Sequence, residues 1–243
     1  MTTETTDWYA SWFNTPFYHI LYKDRDHAEA QTFMENLTSY LNIPEGAHIL
    51  DLACGKGRHS VYLNSMGYQV TGLDLSEESI AYAKQFENEH LHFDVHDMSE
   101  PYHQQFDAVF NLFTSFGYFK DEADNLETVK AIKSNLKSDG IGVIDFMNVD
   151  YVAEHLVEED VKVMEGITFH QKRRLVEGYV VKDITFESAG KAHSYRERVK
   201  AFRLEDFIDM LEAAGLTLLD VFGDYKLKPF HKKTSERLIL TFM

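Results

Sequence analysis

The chain of 243 residues is 44% hydrophobic and 14% aromatic, with 4 prolines and no low-complexity tract, a composition that supplies a substantial core and excludes a disordered polypeptide. Forty acidic residues against 24 basic ones leave a net charge of −16, which repels a polyphosphate backbone and argues against a nucleic-acid partner. The single cysteine, Cys54, excludes an intrachain disulfide framework and a cysteine-based zinc site; a polar start over Met1–Asp7 and the lack of any run of about 18 apolar residues make a soluble cytoplasmic protein the expectation.

No Gly/Ser or Pro linker divides the chain, so a single domain, 1–243, is expected, subdivided only by changes of pattern. Residues 1–44 carry Trp8, Tyr9, Trp12, Phe13, Phe17, Tyr18, Leu21 and Tyr22 at mixed three- and four-residue spacing, which predicts an aromatic-rich helix and a second helix ending before Ile43-Pro44-Glu45-Gly46. Over 45–149, short apolar runs alternate with helical patterns. Strands are predicted at 48–52, 69–74, 91–94, 106–111 and 142–146, with helices at 57–66, 76–87 and 124–136 and a turn at Lys137-Ser138-Asp139-Gly140. Ser76 is the expected N-cap of the second of these helices. Such alternation reads as parallel βαβ units.

The period changes over 150–202. Residues 167–175, 179–186 and 192–202 alternate, with Gly178 and Gly190 between them, which predicts a three-stranded antiparallel insert. The only compact basic run, Lys172-Arg173-Arg174, falls here and reads as a solvated strand face. Residues 203–243 complete the core, with a helix from Leu204 to Ala214 stopped by Gly215 and two strands, 217–225 and 235–242.

The chemistry starts where the first strand ends. Asp51 runs into Gly55 and Gly57 before a helix, a tight turn where backbone approaches a ligand closely. Gly55-Lys56-Gly57-Arg58-His59-Ser60 is a degenerate dinucleotide fingerprint with Ser60 in place of the third glycine, so the loop alone does not name its ligand. Asp74, at the end of the second strand, is placed to accept hydrogen bonds from both hydroxyls of a ribose. Asp51 discriminates further, because a carboxylate facing the glycine loop repels a pyrophosphate and favours a ligand that carries cationic groups on the same adenosine. S-adenosylmethionine, with its ammonium and sulfonium, meets that requirement. Asp97 is placed to accept from the adenine amino group, with Met98 against the ring.

These residues are where a resemblance emerges. Ile49-Leu50-Asp51-Leu52-Ala53-Cys54-Gly55-Lys56-Gly57 resembles the first motif of the class I S-adenosylmethionine-dependent methyltransferases, Leu73-Asp74 the second and His96-Asp97-Met98 the third, with Ala53 where the family often has glycine. The resemblance implies a three-layer α/β/α Rossmann-like sheet of seven strands, mostly parallel with an antiparallel C-terminal strand. It also implies a cofactor site built from Asp51, Ala53, Cys54, Gly55, Gly57, Asp74, Leu75, Asp97, Met98 and Asn111. Phe110-Asn111-Leu112-Phe113 resembles the family's fourth-strand segment, beside the methionine part of the cofactor, and the N-terminal aromatic helix resembles the segment that covers it.

The expected reaction is in-line displacement at the methyl group, which needs alignment and desolvation and no covalent residue. Its product is S-adenosylhomocysteine. Asn111, Phe113, Tyr118 and Tyr22 are the candidates for shaping the transfer site, because the loop Thr114–Phe119 follows the fourth strand and borders the expected methyl. Arg58 and His59 open the first core helix, with a cofactor role or a solvated position both open. Cys54 reads as a small loop residue. His19, His170, His193 and His231 stand among 12 histidines with no spacing that marks a base or a metal site, so no metal is expected. Asn111 is followed by Leu112-Phe113-Thr114, where a nucleic-acid amino methyltransferase would resemble its own family in carrying Pro-Pro-aromatic, so the expected acceptor is the nitrogen or oxygen of a small molecule. The insert serves as a cap or as a homodimer surface. The rivals are a nicotinamide-dependent oxidoreductase and a non-catalytic S-adenosylmethionine-binding protein.

Overall fold

The structure is a computed structural model that describes residues 12–23, 27–119 and 121–243. Trp8 and Tyr9, which the aromatic periodicity singles out, lie outside the described residues. The first described helix, α1 (Pro16–Leu21), starts afresh within the aromatic segment. Thr15 accepts a hydrogen bond from the N–H of Tyr18 and Pro16 occupies the first turn, so the segment breaks at Asn14-Thr15 instead of forming one helix. Helix α2 (His27–Tyr40) follows.

The core then alternates as β1 (His48–Leu52), α3 (Arg58–Ser65), β2 (Gln69–Asp74), α4 (Glu77–Ala83), β3 (Leu91–Val95), β4 (Phe106–Asn111), α5 (Glu122–Asn135) and β5 (Leu136–Met147). Ser76 caps α4 as expected, accepting from the N–H of Ser79. Helix α6 (Val149–His155) leads into the insert, β6 (Glu159–Met164), β7 (Ile167–Val176), β8 (Tyr179–Ser188) and β9 (Lys191–Lys200). Helix α7 (Leu204–Ala214), β10 (Leu218–Phe222) and β11 (Arg237–Phe242) end the chain.

The large sheet has the order β10-β11-β5-β4-β1-β2-β3, with β1 to β5 mutually parallel and β11 antiparallel to both its neighbours. This is the expected seven-stranded topology. Successive strand residues point to opposite faces, so the sheet buries two cores. Leu50, Val109, Ile144 and Phe146 pack with Val129 and Ile132 of α5 and Phe207 and Leu211 of α7. On the other face Ile49, Val70, Phe110 and Val143 pack with Phe33 and Leu37 of α2, Leu63 of α3 and Ile80 of α4. Each fully buried side chain of this size contributes about 1.5–3 kcal/mol.

Three boundaries differ from the sequence-based expectation. Lys137–Gly140 continues β5 and is no turn, because Leu136 pairs with Phe106 across a register shift, and a Cβ at Gly140 would come within 2.9 Å of the Phe106 carbonyl oxygen. The insert has four strands, not three. The strand missed, β6, is rich in charge and joins β7 through Glu165-Gly166, both at positive φ (49° and 80°), the same two-residue turn that Glu177-Gly178 and Ala189-Gly190 make between the later strands. The closing strands are also shorter than expected, which leaves Tyr225 in the loop between them.

The inner face of the four-stranded sheet holds the N-terminal segment. Trp12 and Leu21 pack with Met164, Phe169, Ile184 and Phe186 in a third core. At its centre the indole N–H of Trp12 donates to Glu197 at 2.8 Å, the hydroxyl of Tyr22 lies 2.7 and 2.8 Å from the two oxygens of Glu197, and Lys182 donates to the Tyr22 oxygen at 2.6 Å.

Candidate active site

The ends of β1, β2 and β3 and the segment after β4 open into a cavity of about 360 Å³, roofed by α1. Its size lies in the range of small-molecule sites, at the carboxyl edge where open α/β sheets bind ligands. All the sequence-predicted cofactor residues line it except Gly57 and Asn111, and so do Phe113, Tyr118, Tyr22, Arg58 and His59.

After β1 the chain reverses through Ala53 at φ 64°, with the N–H of Cys54 held by the carbonyl of Leu73, and passes Gly55 and Gly57 at φ 57° and 78°. The two glycines serve different ends. A Cβ at Gly55 would meet nothing within 4 Å, so its side of the loop is open for a ligand. At Gly57 a Cβ would stand 2.6 Å from the Phe93 ring, so this glycine answers to packing, not to ligand room. The same ring lies 2.6 Å from a Cβ built at Gly72 on β2. Phe93, which carried no signal in the sequence, is therefore the buttress under the loop.

Each acid has a defined setting. Asp74 accepts from the N–H of Gly55 and of Ser76, both at 2.8 Å, which ties the glycine loop to the second strand. Burial pushes its carboxyl pKa up, against those two hydrogen bonds. Asp51 is 2% exposed and accepts from the Ser60 hydroxyl at 2.6 Å. The residue that departs from the dinucleotide fingerprint is thus the partner of the discriminating carboxylate. Burial raises the Asp51 pKa to about 6, opposed by the Ser60 hydrogen bond and reinforced by Asp74. Asp97 accepts from the N–H and hydroxyl of Ser99 at 2.9 and 2.8 Å.

Asn111 belongs to the floor. It is fully buried, donates from Nδ2 to the carbonyl of Leu52 at 3.1 Å, and ties β4 to the end of β1 below the cavity. Its Oδ1 has no hydrogen-bond partner among the described residues.

Beyond Asn111 the backbone does something that the sequence does not announce. Phe113 and Thr114 are consecutive non-glycine residues at φ 58° and 61°, a conformation costing about 1–3 kcal/mol per residue that persists only where surrounding structure enforces it. Asp145, fully buried on β5, enforces it. Its carboxylate accepts from the N–H of Phe113 at 2.8 Å and its carbonyl from the N–H of Thr114 at 3.0 Å. Arg237 of β11 pairs with the same carboxylate at 2.7 Å and donates to the Thr114 hydroxyl at 2.9 Å, and Tyr225 approaches from the last loop at 3.3 Å. Burial raises the Asp145 pKa, and the Arg237 guanidinium opposes that rise. Tyr118 closes the loop by donating to the Thr114 carbonyl at 2.8 Å.

The imidazole of His59 stacks on Phe113 at 4.3 Å and receives the Arg58 guanidinium at 2.7 Å, so neither side chain is merely solvated. The sequence placed Phe13 and Tyr18 only within the aromatic segment expected to cover the cofactor and set His19 aside among 12 histidines; α1 and the turn before it bring all three to the roof. The available signal was helical spacing, since Tyr18, His19 and Tyr22 share one face at i, i+1 and i+4. Burial and the nearby Lys56 lower the His19 pKa to about 4, so its ring is neutral at physiological pH.

The donor set fits the cofactor the sequence pointed to: carboxylates at three strand ends facing a glycine loop with open space at Gly55. No group of three His, Cys, Asp or Glu residues that could hold a metal ion occurs among the described residues, and no helix among them is long and apolar enough to cross a membrane.

Comparison with known proteins agrees with this geometry. The methyltransferase-domain family profile matches residues 43–212. YqeM of Bacillus subtilis (strain 168), a protein named as a methyltransferase, is 30% identical over 199 residues, covering 76% of this chain and 79% of that protein. The dTDP-3-amino-3,6-dideoxy-alpha-D-glucopyranose N,N-dimethyltransferase of Streptomyces fradiae is 26% identical and covers 72% of each chain. Among solved structures, an S-adenosylmethionine-dependent methyltransferase from Clostridium acetobutylicum ATCC 824 superposes with a TM-score of 0.78 at 21% identity, over 92% of this chain and 94% of that one. The chain belongs to the methyltransferase-domain family and is an S-adenosylmethionine-dependent methyltransferase of the Rossmann-like, class I type.

Proposed function

We propose that the protein methylates a nitrogen of a small-molecule acceptor and that the residue roles divide along the cavity. The observation that carries this reading is the division itself: Asp51, Asp74 and Asp97 line the side formed by the strand ends, whereas the side formed by α1 and the loop after β4 is aromatic and, among the described residues, is lined by no carboxylate. Asp74 takes the ribose hydroxyls, Asp97 the adenine amino group, and Met98 and Leu75 the faces of the adenine. Asp51 faces the cationic amino-acid end, and Ala53, Cys54 and Gly55 present backbone to it. S-adenosylmethionine, when bound, supplies an electrophilic methyl on a sulfonium sulfur.

The remaining work falls to the chain. Phe113, Tyr118 and Tyr22 wall the transfer end, exclude water and hold the acceptor in line, and alignment of two reactants is worth about 7–11 kcal/mol of barrier. Nitrogen is preferred over oxygen because the Streptomyces fradiae relative is named as an amino-sugar N,N-dimethyltransferase. The net charge of −16 favours a small soluble acceptor over nucleic acid, and the cytoplasm is the proposed compartment. A nicotinamide cofactor is disfavoured by Asp51, whose buried carboxylate would face the pyrophosphate.

The test is calorimetric titration with S-adenosylmethionine, S-adenosylhomocysteine and NAD, repeated with Asp74→Ala, followed by mass-spectrometric detection of methyl transfer to amino acids and amino sugars. Micromolar binding of both adenosyl ligands that weakens at least tenfold in the variant supports the assignment. Binding of NAD alone overturns it, and adenosyl binding without turnover of any amine supports a binding protein instead.

A further inference from the structure

The polar groups at the transfer end are almost all committed to the protein. Tyr22 Oη sits between Glu197 and Lys182, Tyr118 donates to the Thr114 carbonyl, and Ser115 donates to the Leu112 carbonyl at 2.9 Å. The Thr114 hydroxyl receives Arg237, and Nε2 of His59 receives Arg58. His19 differs from these groups. Its ring meets the edge of Tyr18 at 5.4 Å, and no hydrogen bond to either of its nitrogens is present among the described residues, although it lines the cavity from α1.

Building on the amine-methyltransferase reading, we propose that His19 is the catalytic residue that receives the acceptor's N–H through an unprotonated ring nitrogen, orienting the amine so that its lone pair faces the methyl group. The acceptor class follows: primary and secondary amines, which carry an N–H to donate, with methylation stopping at the tertiary amine. Burial and Lys56 keep the imidazole neutral, so one of its nitrogens is always an acceptor at physiological pH. No carboxylate among the described residues competes for the N–H, since none of them lines this end of the cavity.

The step balances without any further reagent. The nitrogen lone pair forms the new N–C bond as the C–S bond opens and its electron pair returns to sulfur. The positive charge passes to nitrogen, and the product departs as the protonated amine, its proton still on nitrogen because an alkylammonium is a far weaker acid than the protonated form of a ring whose pKa is about 4. Phe13, in edge contact with Tyr118 at 5.4 Å, keeps the surroundings apolar.

The experiment requires no knowledge of the natural acceptor. Two analogues of S-adenosylhomocysteine are used in which nitrogen replaces sulfur and bears either a 3-aminopropyl or a propyl branch, so that an amine is delivered where the acceptor nitrogen would sit. Their dissociation constants are measured on the wild-type chain, His19→Phe and His19→Gln, with S-adenosylhomocysteine as the control for an intact cofactor site. A single hydrogen bond of this kind predicts that wild type prefers the aminopropyl analogue about fivefold to tenfold. His19→Phe brings the ratio to one, and His19→Gln, which retains an acceptor oxygen, restores part of it. S-adenosylhomocysteine binding stays within twofold throughout. A ratio unchanged in His19→Phe, or a ratio of one in wild type, overturns the role of His19 while leaving the methyltransferase reading standing. Failure of wild type to bind S-adenosylhomocysteine overturns that reading itself.

Discussion

Asp51 shows how one buried carboxylate couples stability to pH. Its folded pKa of about 6 lies above the unfolded value of 3.8, so its contribution to stability is full below pH 4 and is lost as pH rises through 6. Two units correspond to about 3 kcal/mol. Urea unfolding of the ligand-free protein is expected to show higher stability at pH 5 than at pH 7.5, with Asp74 contributing in the same sense. Asp51→Asn is expected to remove much of that slope and to stabilise the chain at pH 7.5. The charge matters in the opposite direction for binding. Affinity for the cationic S-adenosylmethionine is expected to weaken below pH 6 and in Asp51→Asn, as measured by calorimetry. The motif glycine offers a sharper test of packing: Gly57→Ala combines a positive φ with a 2.6 Å approach to Phe93 and is expected to destabilise by about 2–4 kcal/mol. A loss below 0.5 kcal/mol in denaturant titration would show that Phe93 swings aside. Glycine and carboxylate positions were readable in the sequence because their spacing is local. Phe93 was not, because its contact with Gly57 comes from a neighbouring strand.

At the scale of elements, the loop after β4 is set by what lies under it. Phe113 and Tyr118 drew attention as aromatic residues beyond a strand end, yet their positions depend on Asp145 from β5, Arg237 from β11 and Tyr225 from the last loop. Removing Arg237 leaves a buried carboxylate without its cation, a loss of about 3–5 kcal/mol. Arg237→Met is therefore expected to lower stability by that amount and to lower kcat more than affinity for S-adenosylhomocysteine. Asp145→Asn combined with Arg237→Met is expected to recover part of the stability, because the orphaned charge is gone, and none of the turnover, because the Thr114 hydroxyl stays without its guanidinium donor. Equal stability of the single and double variants would show that the pair carries no buried charge penalty.

For the whole molecule, the insert acts through the segment it holds. No residue of 150–202 lines the cavity, but the inner face of the four-stranded sheet carries α1, and Glu197, 16% exposed, gathers Trp12, Tyr22 and Lys182. That arrangement makes the insert a support for the roof. Glu197→Ala is expected to speed dissociation of S-adenosylhomocysteine tenfold or more in stopped-flow fluorescence while leaving the large sheet folded. An unchanged rate would mean that ligand exchange does not pass through the roof. On the outer face, Val161 and Val163 of the edge strand β6 are 58% and 65% exposed, so any homodimer through the insert is expected to dissociate in light scattering when both become lysine.

The central sheet, its helices and the row of carboxylates at its carboxyl edge were determined by the sequence alone, because each rests on signals a few residues apart: period-two and period-3.6 alternation, X-Gly turns, and acids at successive strand ends. The fourth strand of the insert escaped because its inner, less exposed positions include the charged Asp160 and Lys162 while Val161 and Val163 face outward, so its alternation does not read as a buried apolar face. The transfer end was decided only by the tertiary structure. Tyr22 is 175 residues from Glu197, and Thr114 is 123 from Arg237. Contacts at that separation leave no local pattern, and the properties that matter there, a neutral His19 and a strained Phe113-Thr114, arise from burial and cross-element hydrogen bonds that exist only once the chain has packed.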